Sequence, residues 1–293
     1  MGPAQIQQVR RFNRAVTRRV GALDQSYLAR GRPLAEARII FEAGPDGVDV
    51  RALRNRLSLD SGYLSRLLNS LKAQGLVQVE RRPDDKRARR ASLTRKGREE
   101  LRAYDRLSDE LARSILAPLD AGQRGRLLGA MSEVEKLVRA ASVEVRQATP
   151  SGSEGSWCLA EYYRELAERF ESGFDPALGN SNGDEELTPP AGLFVVASLD
   201  AEPIGCGGLK FESASMAEIK RVWTAPSARG IGVARKIVRT LEEFARERGA
   251  KTVHLDTNRA LKEAQTLYRS EGYREVARYN DNPYAHCWFE KDL

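Results

Sequence analysis

A change of sequence pattern near residue 150 constrains the fold of this chain more than any other feature. The segment 147–156 is rich in serine, glycine and proline, which is typical of a linker. Before it, apolar residues recur at helical spacing, and after it short apolar runs alternate with helical patterns. A chain of 293 residues can form two cores of ordinary size. We therefore predict a mainly α domain at 1–146 and an α+β domain with a mixed central sheet at 157–293, joined by a linker at 147–156.

The local patterns place the elements of both domains. In the first domain they predict helices at 6–28, 33–43, 50–57, 61–74, 96–116 and 121–145, and a hairpin of strands 77–82 and 90–93. In the second they predict helices at 157–171, 232–248 and 261–270, and strands at 193–199, 202–211, 217–223, 252–256 and 285–291.

Charge is unevenly distributed along the chain. Residues 1–150 contain 30 lysines and arginines against 18 acidic residues, a balance of +12, whereas residues 151–293 have a balance of −5. A basic half beside an acidic half indicates two separate roles, with a polyanion as the partner of the first. Arginine enrichment of a GC-rich genome is the alternative explanation.

Composition narrows the cellular setting. No apolar run approaches the roughly 18 residues that span a bilayer, and the polar N-terminus lacks the apolar core of a signal peptide. The cysteines Cys158, Cys206 and Cys287 are odd in number and have no metal-like spacing. We expect a cytoplasmic protein that binds no membrane and no metal.

One predicted helix of the first domain has a DNA-reading pattern. Asp60 and Ser61 occupy an N-cap position before an apolar stripe formed by Leu64, Leu67, Leu68 and Leu71. That stripe must face a core, and the preceding helix at 50–57 would brace it in a helix-turn-helix. The opposite face offers polar side chains of a length that reaches base edges in a major groove. These candidates are Ser61, Tyr63, Ser65, Arg66, Asn69 and Lys72.

The tip of the predicted hairpin, at 81–90, carries six basic residues around a Pro-Asp-Asp turn. Like charges on such a tip repel each other, and a DNA phosphate backbone would relieve that repulsion. An arginine in a narrow minor groove would add readout of DNA shape. The alternative is an ordinary solvated run of charge. The candidate DNA contacts here are Asp85, Lys86, Arg87 and Arg89.

Together, the runs at 59–68, 75–77, 84–87 and 93–97 make residues 5–145 resemble the MarR family of winged-helix transcriptional regulators. The resemblance implies a homodimer built from the first and last helices, bound to a palindromic operator in double-stranded DNA. It also implies that Arg87 contacts the minor groove and that Asp85 holds that arginine through a charge-assisted pair. No cysteine lies in residues 1–150, which excludes thiol sensing within this domain.

A glycine-containing turn in the second domain is a candidate phosphate site. It opens the predicted helix at 232–248 and follows the strand at 217–223, so backbone N–H groups at the helix start can approach a pyrophosphate. Taken alone, such a turn is more often structural. Its residues are Arg229, Gly230, Ile231, Gly232, Val233 and Ala234.

A second constellation follows downstream. Asn258 comes just after the strand at 252–256, and the next helix carries Tyr268, followed by Gly272 and Tyr273. A phenol beside a departing thiolate can donate its proton if it lies within hydrogen-bond reach. The alternative is that Tyr268 only packs in a core with its neighbours.

These two motifs, in this order and spacing, make residues 157–293 resemble the GNAT superfamily of N-acetyltransferases. The resemblance implies acetyl-CoA as cosubstrate, with the backbone of Val222, Trp223 and Thr224 along the pantetheine arm at a splayed strand. One of those N–H groups would polarise the thioester carbonyl. The resemblance further implies that amides of residues 229–234 hold the pyrophosphate, that Asn258 bonds the cofactor arm and that Tyr268 protonates the CoA thiolate.

The implied reaction is direct attack of an uncharged amine on acetyl-CoA. Because amines arrive protonated at neutral pH, a base or a water chain is needed, and Glu218 is the candidate base. A structural or substrate-binding role for Glu218 is the alternative, and His254 and His286 are rival bases. Cys206 and Cys287 are interpreted as small strand hydrophobes rather than nucleophiles.

We therefore predict a bifunctional chain that binds operator DNA and acetylates a primary amine, with a small molecule favoured over a protein lysine. Two alternatives stay open. In one, a regulator only senses acetyl-CoA through its second domain. In the other, an acetyltransferase uses its first domain only to dimerise.

Overall fold

The computed structural model describes residues 2–81, 89–178 and 183–293. The chain forms two compact units, Met1–Ala130 and Met131–Leu293, which we call the N-terminal and C-terminal units. In the described residues, no helix combines the length and the apolar character that crossing a membrane requires.

The N-terminal unit is a winged helix-turn-helix, as predicted. Its three-stranded antiparallel sheet has the order β1-β3-β2. The elements are α1 (Pro3–Arg19), a 3-10 turn at Tyr27–Ala29, α2 (Leu34–Ala43), β1 (Val48–Asp49), α3 (Val50–Leu57), α4 (Ser61–Ala73), β2 (Val77–Arg81), β3 (Arg89–Leu93), α5 (Arg95–Leu116) and α6 (Ala121–Ser142), within which the division between the units falls.

A leucine-rich core holds the helices of this unit on its small sheet. The four leucines of the α4 stripe are all buried, together with Ile39 and Ile40 of α2. Where α5 begins, Gly97 approaches the sheet so closely that a Cβ atom there would lie 2.0 Å from the carbonyl oxygen of Leu76. Only glycine permits that approach, so Gly97 fixes the start of α5 against the wing strands.

Apart from shifts of one residue, three features of the predicted first domain differ from prediction. Helix α1 ends at Arg19 rather than at residue 28, and Gly21 then takes a left-handed φ of +65°, which ends the helix. Helix α6 ends at Ser142 rather than at residue 145. Strand β1, which pairs with β3, was not predicted because a strand of two residues carries no periodic signal.

The C-terminal unit is built on one seven-stranded mixed sheet with the order β4-β5-β6-β7-β8-β10-β9. Its one parallel pair is β7 and β8, and the other neighbours within the described residues are antiparallel. The elements are β4 (Glu144–Ala148), α7 (Ser153–Arg169), β5 (Gly192–Leu199), β6 (Glu202–Phe211), β7 (Met216–Thr224), α8 (Val233–Glu247), β8 (Thr252–Thr257), α9 (Lys262–Ser270), β9 (Arg274–Val276) and β10 (Cys287–Asp292), with 3-10 turns at Pro176–Leu178, Glu185–Leu187 and Pro226–Ala228.

The predicted linker at 147–156 is not a linker. Strand β4 runs through its first residues and pairs with β5, and α7 begins at Ser153. Between them the chain turns so tightly that a Cβ atom at Gly155 would lie 2.2 Å from the carbonyl oxygen of Thr149. The small and turn-forming residues there serve a packed corner inside the C-terminal unit, so the predicted boundary at 146 is replaced by one near residue 130.

Burial in the C-terminal unit explains why its helices lie where they do. All eight residues of β5 are buried, which fits an interior strand covered on both faces. Helix α8 packs on the sheet through Ile237, Val238 and Leu241, which are fully buried. This packing holds the first turn of α8 at the end of β7, where the candidate site lies.

Candidate functional site

The sheet opens between its two parallel strands. The register of β7 and β8 runs from Met216 opposite Thr252 to Glu218 opposite His254, and among the described residues it goes no further. Strand β7 nevertheless continues to Thr224. Because the two strands separate there, the β7 edge that faces β8 does not complete a ladder with it and borders a cleft. This is the splayed strand that the sequence led us to expect.

A bulge marks the point of separation. The pairing of β6 with β7 shifts register between Cys206 and Gly208, opposite residues 220–223. Arg221 sits in this bulge with a left-handed φ of +56°, a conformation that a non-glycine residue adopts only when its surroundings enforce it. The bulge turns the following residues, Val222 to Thr224, toward the cleft.

The cleft contains a cavity of about 450 Å³, which we call the large cavity. Its walls come from α7, the end of β7, the turn before α8, and α9. Most of the predicted cofactor-binding residues line it, namely Val222, Trp223, Thr224, Arg229, Gly230, Gly232, Val233 and Ala234, and so does Tyr268. Ile231 instead points into the core and is 9% exposed.

The start of α8 forms a cradle of backbone amides. Gly230 and Gly232 have left-handed φ values of +78° and +86°, and Gly232 is the N-cap residue of the helix. Within the described residues no side chain caps this end. The first N–H groups of a helix have no intrahelical partner, so these amides stay open beside the large cavity, which their residues line. Such an end binds anions through its amides and the helix dipole.

A carboxylate missed by the sequence analysis organises the rim of this cradle. Glu165 of α7 accepts hydrogen bonds from Arg229 at 2.5 Å, from the indole Nε1 of Trp223 at 2.9 Å and from Arg169 at 3.0 Å. Burial favours the neutral acid, but these hydrogen bonds outweigh it and hold the pKa of Glu165 below its usual value. Its partner Arg229 lies 64 positions away, so no local motif signals the contact.

Tyr268 lies between the large cavity and a smaller one of about 80 Å³, and it lines both. The ring is buried and packs against Tyr273 and Phe289, with centroids 5.8 and 5.9 Å apart. Burial, and then the nearby charge of Asp256, raises the pKa of the phenol. Tyr268 therefore keeps its proton at neutral pH and can act as a proton donor.

The small cavity has a carboxylate that the sequence analysis also missed. Asp256, near the end of β8, accepts hydrogen bonds from Asn280 at 2.6 Å and from Asn282 at 2.8 Å. Burial raises the pKa of Asp256, and the charge of Glu218 raises it further. The hydrogen bonds from Asn280 and Asn282 lower the pKa, but the net shift is upward. Its position after the last paired residue of two parallel strands was the available signal, because ligand-binding residues collect at such strand ends.

Glu218, the predicted base, lies deeper than either cavity and lines neither. Its carboxylate is 2% exposed and forms ion pairs with Lys210 at 3.1 Å and Lys220 at 3.2 Å. Tyr279 donates a third, longer hydrogen bond at 3.3 Å. Glu212, Glu218 and His254 offer ligand atoms within 4.8 Å of one another, but the two lysine ammonium groups make this cluster an ion-pair network.

Asn258 and the two rival bases have other contacts in the structure. The Asn258 side chain donates to the carbonyl of Tyr284 at 2.8 Å and accepts from the amide of Ala260 at 2.9 Å, and it lines the small cavity. Its predicted bond to the cofactor stays a prediction. His254 is buried beside Glu212 at 2.9 Å, and His286 is exposed; neither lines the two cavities.

The turn before α8 tests whether the large cavity fits an anionic group. A Cβ atom at Gly230 or Gly232 would meet nothing within 4 Å, so the space beside these amides is open. The Thr224 hydroxyl, by contrast, is enclosed and has no hydrogen-bond partner among the described residues, so it does not reach the cavity surface. The fit to an anion therefore depends on the open amides at the start of α8.

In the N-terminal unit, α4 presents the predicted DNA-reading face. Asp60 caps the helix by accepting from the amide of Tyr63 at 2.8 Å. The Arg66 guanidinium lies 5.6 Å from the ring centre of Tyr63, which steadies both side chains. The predicted contact residues of α4 are exposed or half-buried, namely Ser61, Tyr63, Ser65, Arg66, Asn69 and Lys72.

Two arginines that were not predicted lie beside the start of this helix. Arg51 and Arg54 of α3 line a depression of about 250 Å³ with Ser61, Ser65 and the predicted Arg89. Three guanidinium groups around the first turn of a helix form a positive surface suited to phosphate. The predicted wing contacts Asp85, Lys86 and Arg87 lie outside the described residues.

Known protein families match two separate segments of the chain. Residues 159–273 match the acetyltransferase (GNAT) family, and residues 31–88 match the MarR family. Two segments of the chain thus match known families, and we call them by these matches the GNAT-family segment and the MarR-family segment. The GNAT-family segment contains the cavity walls from α7 to Tyr273, and the MarR-family segment contains α2, α3 and α4.

Individual relatives match one segment or the other. An N-acetyltransferase of Escherichia coli is 32% identical over 90 residues, which are 30% of this chain and 54% of that protein. An IAA acetyltransferase of Azospirillum brasilense is 28% identical over 113 residues, 38% of this chain and 74% of that protein. An HTH-type transcriptional regulator of Bacillus subtilis is 26% identical over 89 residues, 30% of this chain and 54% of that protein. The chain thus spans about half the length of the first and third.

Solved GNAT-family structures align with about half of this chain. An acetyltransferase from Staphylococcus aureus covers 52% of this chain and 99% of its own, at 16% identity and a TM-score of 0.45. One from Elizabethkingia anophelis, solved with acetyl-CoA bound, covers the same shares at 14% identity and a TM-score of 0.38.

Proposed function

We propose that the GNAT-family segment transfers an acetyl group from acetyl-CoA to a primary amine and that the MarR-family segment binds double-stranded DNA. The observation that carries the first part is the opening between β7 and β8. There, one cavity joins the amide cradle of α8 to the protonated phenol of Tyr268. A cofactor site and a proton donor in one cavity are what acetyl transfer requires.

The residues of the large cavity have separable roles in this proposal. The amides of Val233 and Ala234, with those of the preceding turn, hold the pyrophosphate of CoA. The free edge of β7 at residues 222–224 pairs with the pantetheine arm, and an N–H there polarises the thioester carbonyl. Acetyl-CoA supplies the activated acetyl group, and the hydroxyl of Tyr268 gives its proton to the departing sulfur.

The proton of the incoming amine needs an acceptor at the small cavity. Glu218 is paired with two lysines and does not line that cavity, whereas Asp256 lines it. Since the charge of Glu218 contributes to the raised pKa of Asp256, we propose that Glu218 acts through Asp256 and that Asp256 receives the proton. A raised pKa makes a carboxylate a stronger base.

Substitution of Gly232 tests the cofactor site. Gly232→Val forces a branched side chain into a left-handed conformation at the amide cradle, so we expect the affinity for acetyl-CoA to fall at least about tenfold. Gly249→Val is the matched control, because Gly249 has a φ of +91° and lies at the other end of α8, away from the cavity.

Isothermal titration with acetyl-CoA and release of free CoA from a panel of amines are the two measurements. Equal affinity in both variants would contradict the assigned cradle. Tight binding of acetyl-CoA with no acetylation of any amine would favour a regulator that only senses the cofactor.

The basic surface around α4 supports the DNA-binding part. It combines the exposed Arg66 with Arg51, Arg54 and Arg89 beside the start of the helix. We expect a palindromic site, because α1 exposes an apolar stripe that a second copy of the chain would cover. Its members, Ile6, Val9, Phe12 and Val16, are 41–59% exposed.

Arg66→Ala tests DNA binding by the N-terminal unit. We expect weaker binding to a duplex selected from a random pool, because one cation is removed from the reading face. Arg113→Ala is the control, because Arg113 is 74% exposed on α5 and pairs with Asp109 away from this surface. If no duplex can be selected, or if both variants bind alike, the second part is wrong and an acetyltransferase with a dimerisation domain is favoured.

A further inference from the structure

The small cavity contains an arginine that the proposed mechanism does not use. Arg221 sits in the β7 bulge and lines this cavity, with its side chain only 10% exposed. A guanidinium stays charged at every physiological pH, so enclosing one carries a desolvation cost. Its left-handed backbone adds strain at the same residue. Both costs fall on one arginine of the cavity wall.

The contacts that Arg221 makes with the described residues leave most of its donors available. Within residues 2–81, 89–178 and 183–293 its ion pair is with Asp184, at 3.5 Å, and that carboxylate is 49% exposed. A contact of that length is weak, and a guanidinium has five donors in a planar fork that matches a carboxylate. The neighbouring cation, Lys220, differs, because Glu218 lies 3.2 Å from its ammonium.

The acidic side chain that lines the small cavity is Asp256. Each of its oxygens accepts one amide hydrogen bond, from Asn280 or Asn282, so each retains a lone pair for a further donor. The two asparagines fix the plane of the carboxylate without neutralising it. The small cavity is therefore lined by one acid, Asp256, and by two cationic residues, of which Lys220 is already paired with Glu218.

We propose that the acetyl acceptor is an amine that also carries a carboxylate, an α-amino acid being the simplest case. Its ammonium group binds Asp256 and its carboxylate binds Arg221. This inference rests on the proposed acetyltransferase function and names the substrate class. It places the amine beside Tyr268, which lines both cavities, and so next to the acetyl group.

The proton balance is complete with these residues. The ammonium loses one proton to Asp256 and attacks the thioester carbon, so that a C–N bond forms and the C–S bond breaks. The sulfur takes the proton of Tyr268, and the second proton lost by the nitrogen returns to the phenol. The products are the N-acetylated acid and free CoA, and the proton on Asp256 passes to solvent.

Matched substrates test the role of Arg221. L-alanine with ethylamine, and L-phenylalanine with phenethylamine, differ by the carboxylate, and L-phenylalaninamide replaces it with a neutral group. In Arg221→Met we expect kcat/KM to fall about 100-fold for the two amino acids, because an enclosed charge pair is lost. It should change less than about threefold for the three amines that lack the carboxylate.

Two further variants serve as controls for Arg221→Met. Arg164→Met removes an exposed arginine of α7 that lines neither cavity, so it should leave all five rates unchanged. Arg221→Lys keeps a charge without the fork and should recover part of the loss. If Arg221→Met does not fold, the lysine variant and the preference of the unaltered chain still decide the outcome.

Two results would overturn the inference alone: acetylation of phenethylamine in preference to L-phenylalanine by the unaltered chain, or an equal loss for both members of each pair in Arg221→Met. The absence of acetylation for every amine, with acetyl-CoA bound, would instead contradict the proposed function and the inference with it. The expected pattern is selectivity for the acid that depends on Arg221.

Discussion

Replacing Tyr268 with phenylalanine removes one hydroxyl from the wall that the two cavities share. The contacts of the ring with Tyr273 and Phe289 are made by carbon atoms and survive the change. We therefore expect the free energy of unfolding to change by less than about 1 kcal/mol. The amide cradle and the β7 edge are untouched, so the dissociation constant of acetyl-CoA should stay within about twofold.

The effect on turnover follows from the proton that Tyr268 holds. Burial and the charge of Asp256 raise its pKa, so the phenol is protonated throughout the range below about pH 10 in which an assay is run. A positioned general acid contributes about 10²- to 10⁴-fold to a rate. Each factor of ten corresponds to about 1.4 kcal/mol, so the barrier should rise by roughly 3–5 kcal/mol and kcat should fall at least about 100-fold.

Turnover is measured as thiol release from acetyl-CoA with a saturating amine, and affinity by titration calorimetry. Tyr163→Phe is the matched control, because this tyrosine packs on Phe174 at 5.6 Å and lines neither cavity. If kcat in Tyr268→Phe stays within about threefold of the unaltered chain, Tyr268 is not the acid. An equal fall in both variants would point to a packing effect on the site.

Two predictions concern the N-terminal unit. Glu100→Gln should destabilise the N-terminal unit by about 2 kcal/mol at pH 7. Buried Glu100 pairs with Arg30 at 2.6 Å and with Arg32. The contribution of Arg30 is reduced by solvent screening, because its side chain is 39% exposed. The hydrogen bond from Arg30 holds the pKa of Glu100 below the usual value, so this stability is present at neutral pH and is lost as the pH falls through that lowered pKa. Urea unfolding measures the difference in free energy of unfolding between Glu100→Gln and the unaltered chain, which should be smaller at pH 3 than at pH 7. Val9→Glu places a charge on the exposed stripe of α1 and should shift sedimentation from dimer toward monomer.

Both predictions have clear counter-results. If the difference in free energy of unfolding between Glu100→Gln and the unaltered chain does not change with pH, the carboxylate charge is not the source of the stability. For Val9→Glu, the control is Arg10→Glu on the neighbouring exposed position. Dimers that persist in Val9→Glu would exclude α1 as the contact between copies.

Features encoded by neighbouring residues could be predicted from the sequence. The α4 leucines are buried at the predicted positions, and Asp60 caps the helix as expected, because both depend on contacts within about one helical turn. The turn at 229–234 was likewise placed at the start of a helix, because Gly230 and Gly232 serve a local conformation. These features need no knowledge of the rest of the fold.

Features that depend on distant residues could not be predicted. The segment at 147–156 has the composition of a linker, yet β4 is held by hydrogen bonds to β5, some fifty positions away. Glu165 looks like an ordinary surface acid in the sequence, and Asp256 is marked only by its place at a strand end. Their roles come from Arg229 in one case and Asn280 in the other, which only the folded sheet brings close. Functional sites are where local reasoning is expected to fail most.

The uneven charge of the chain takes on a specific meaning in the C-terminal unit. The arginines around the large cavity are already paired with carboxylates: Arg229 with Glu165, Arg169 with Glu263 and Arg235 with Glu271. The part of the cleft left open to a phosphate is therefore the row of backbone amides at the start of α8. Amides release few counterions on binding, whereas free guanidinium groups on a DNA surface release many. The affinity for acetyl-CoA should thus depend far less on salt than the affinity for DNA, so the two partners of one chain respond separately to ionic strength.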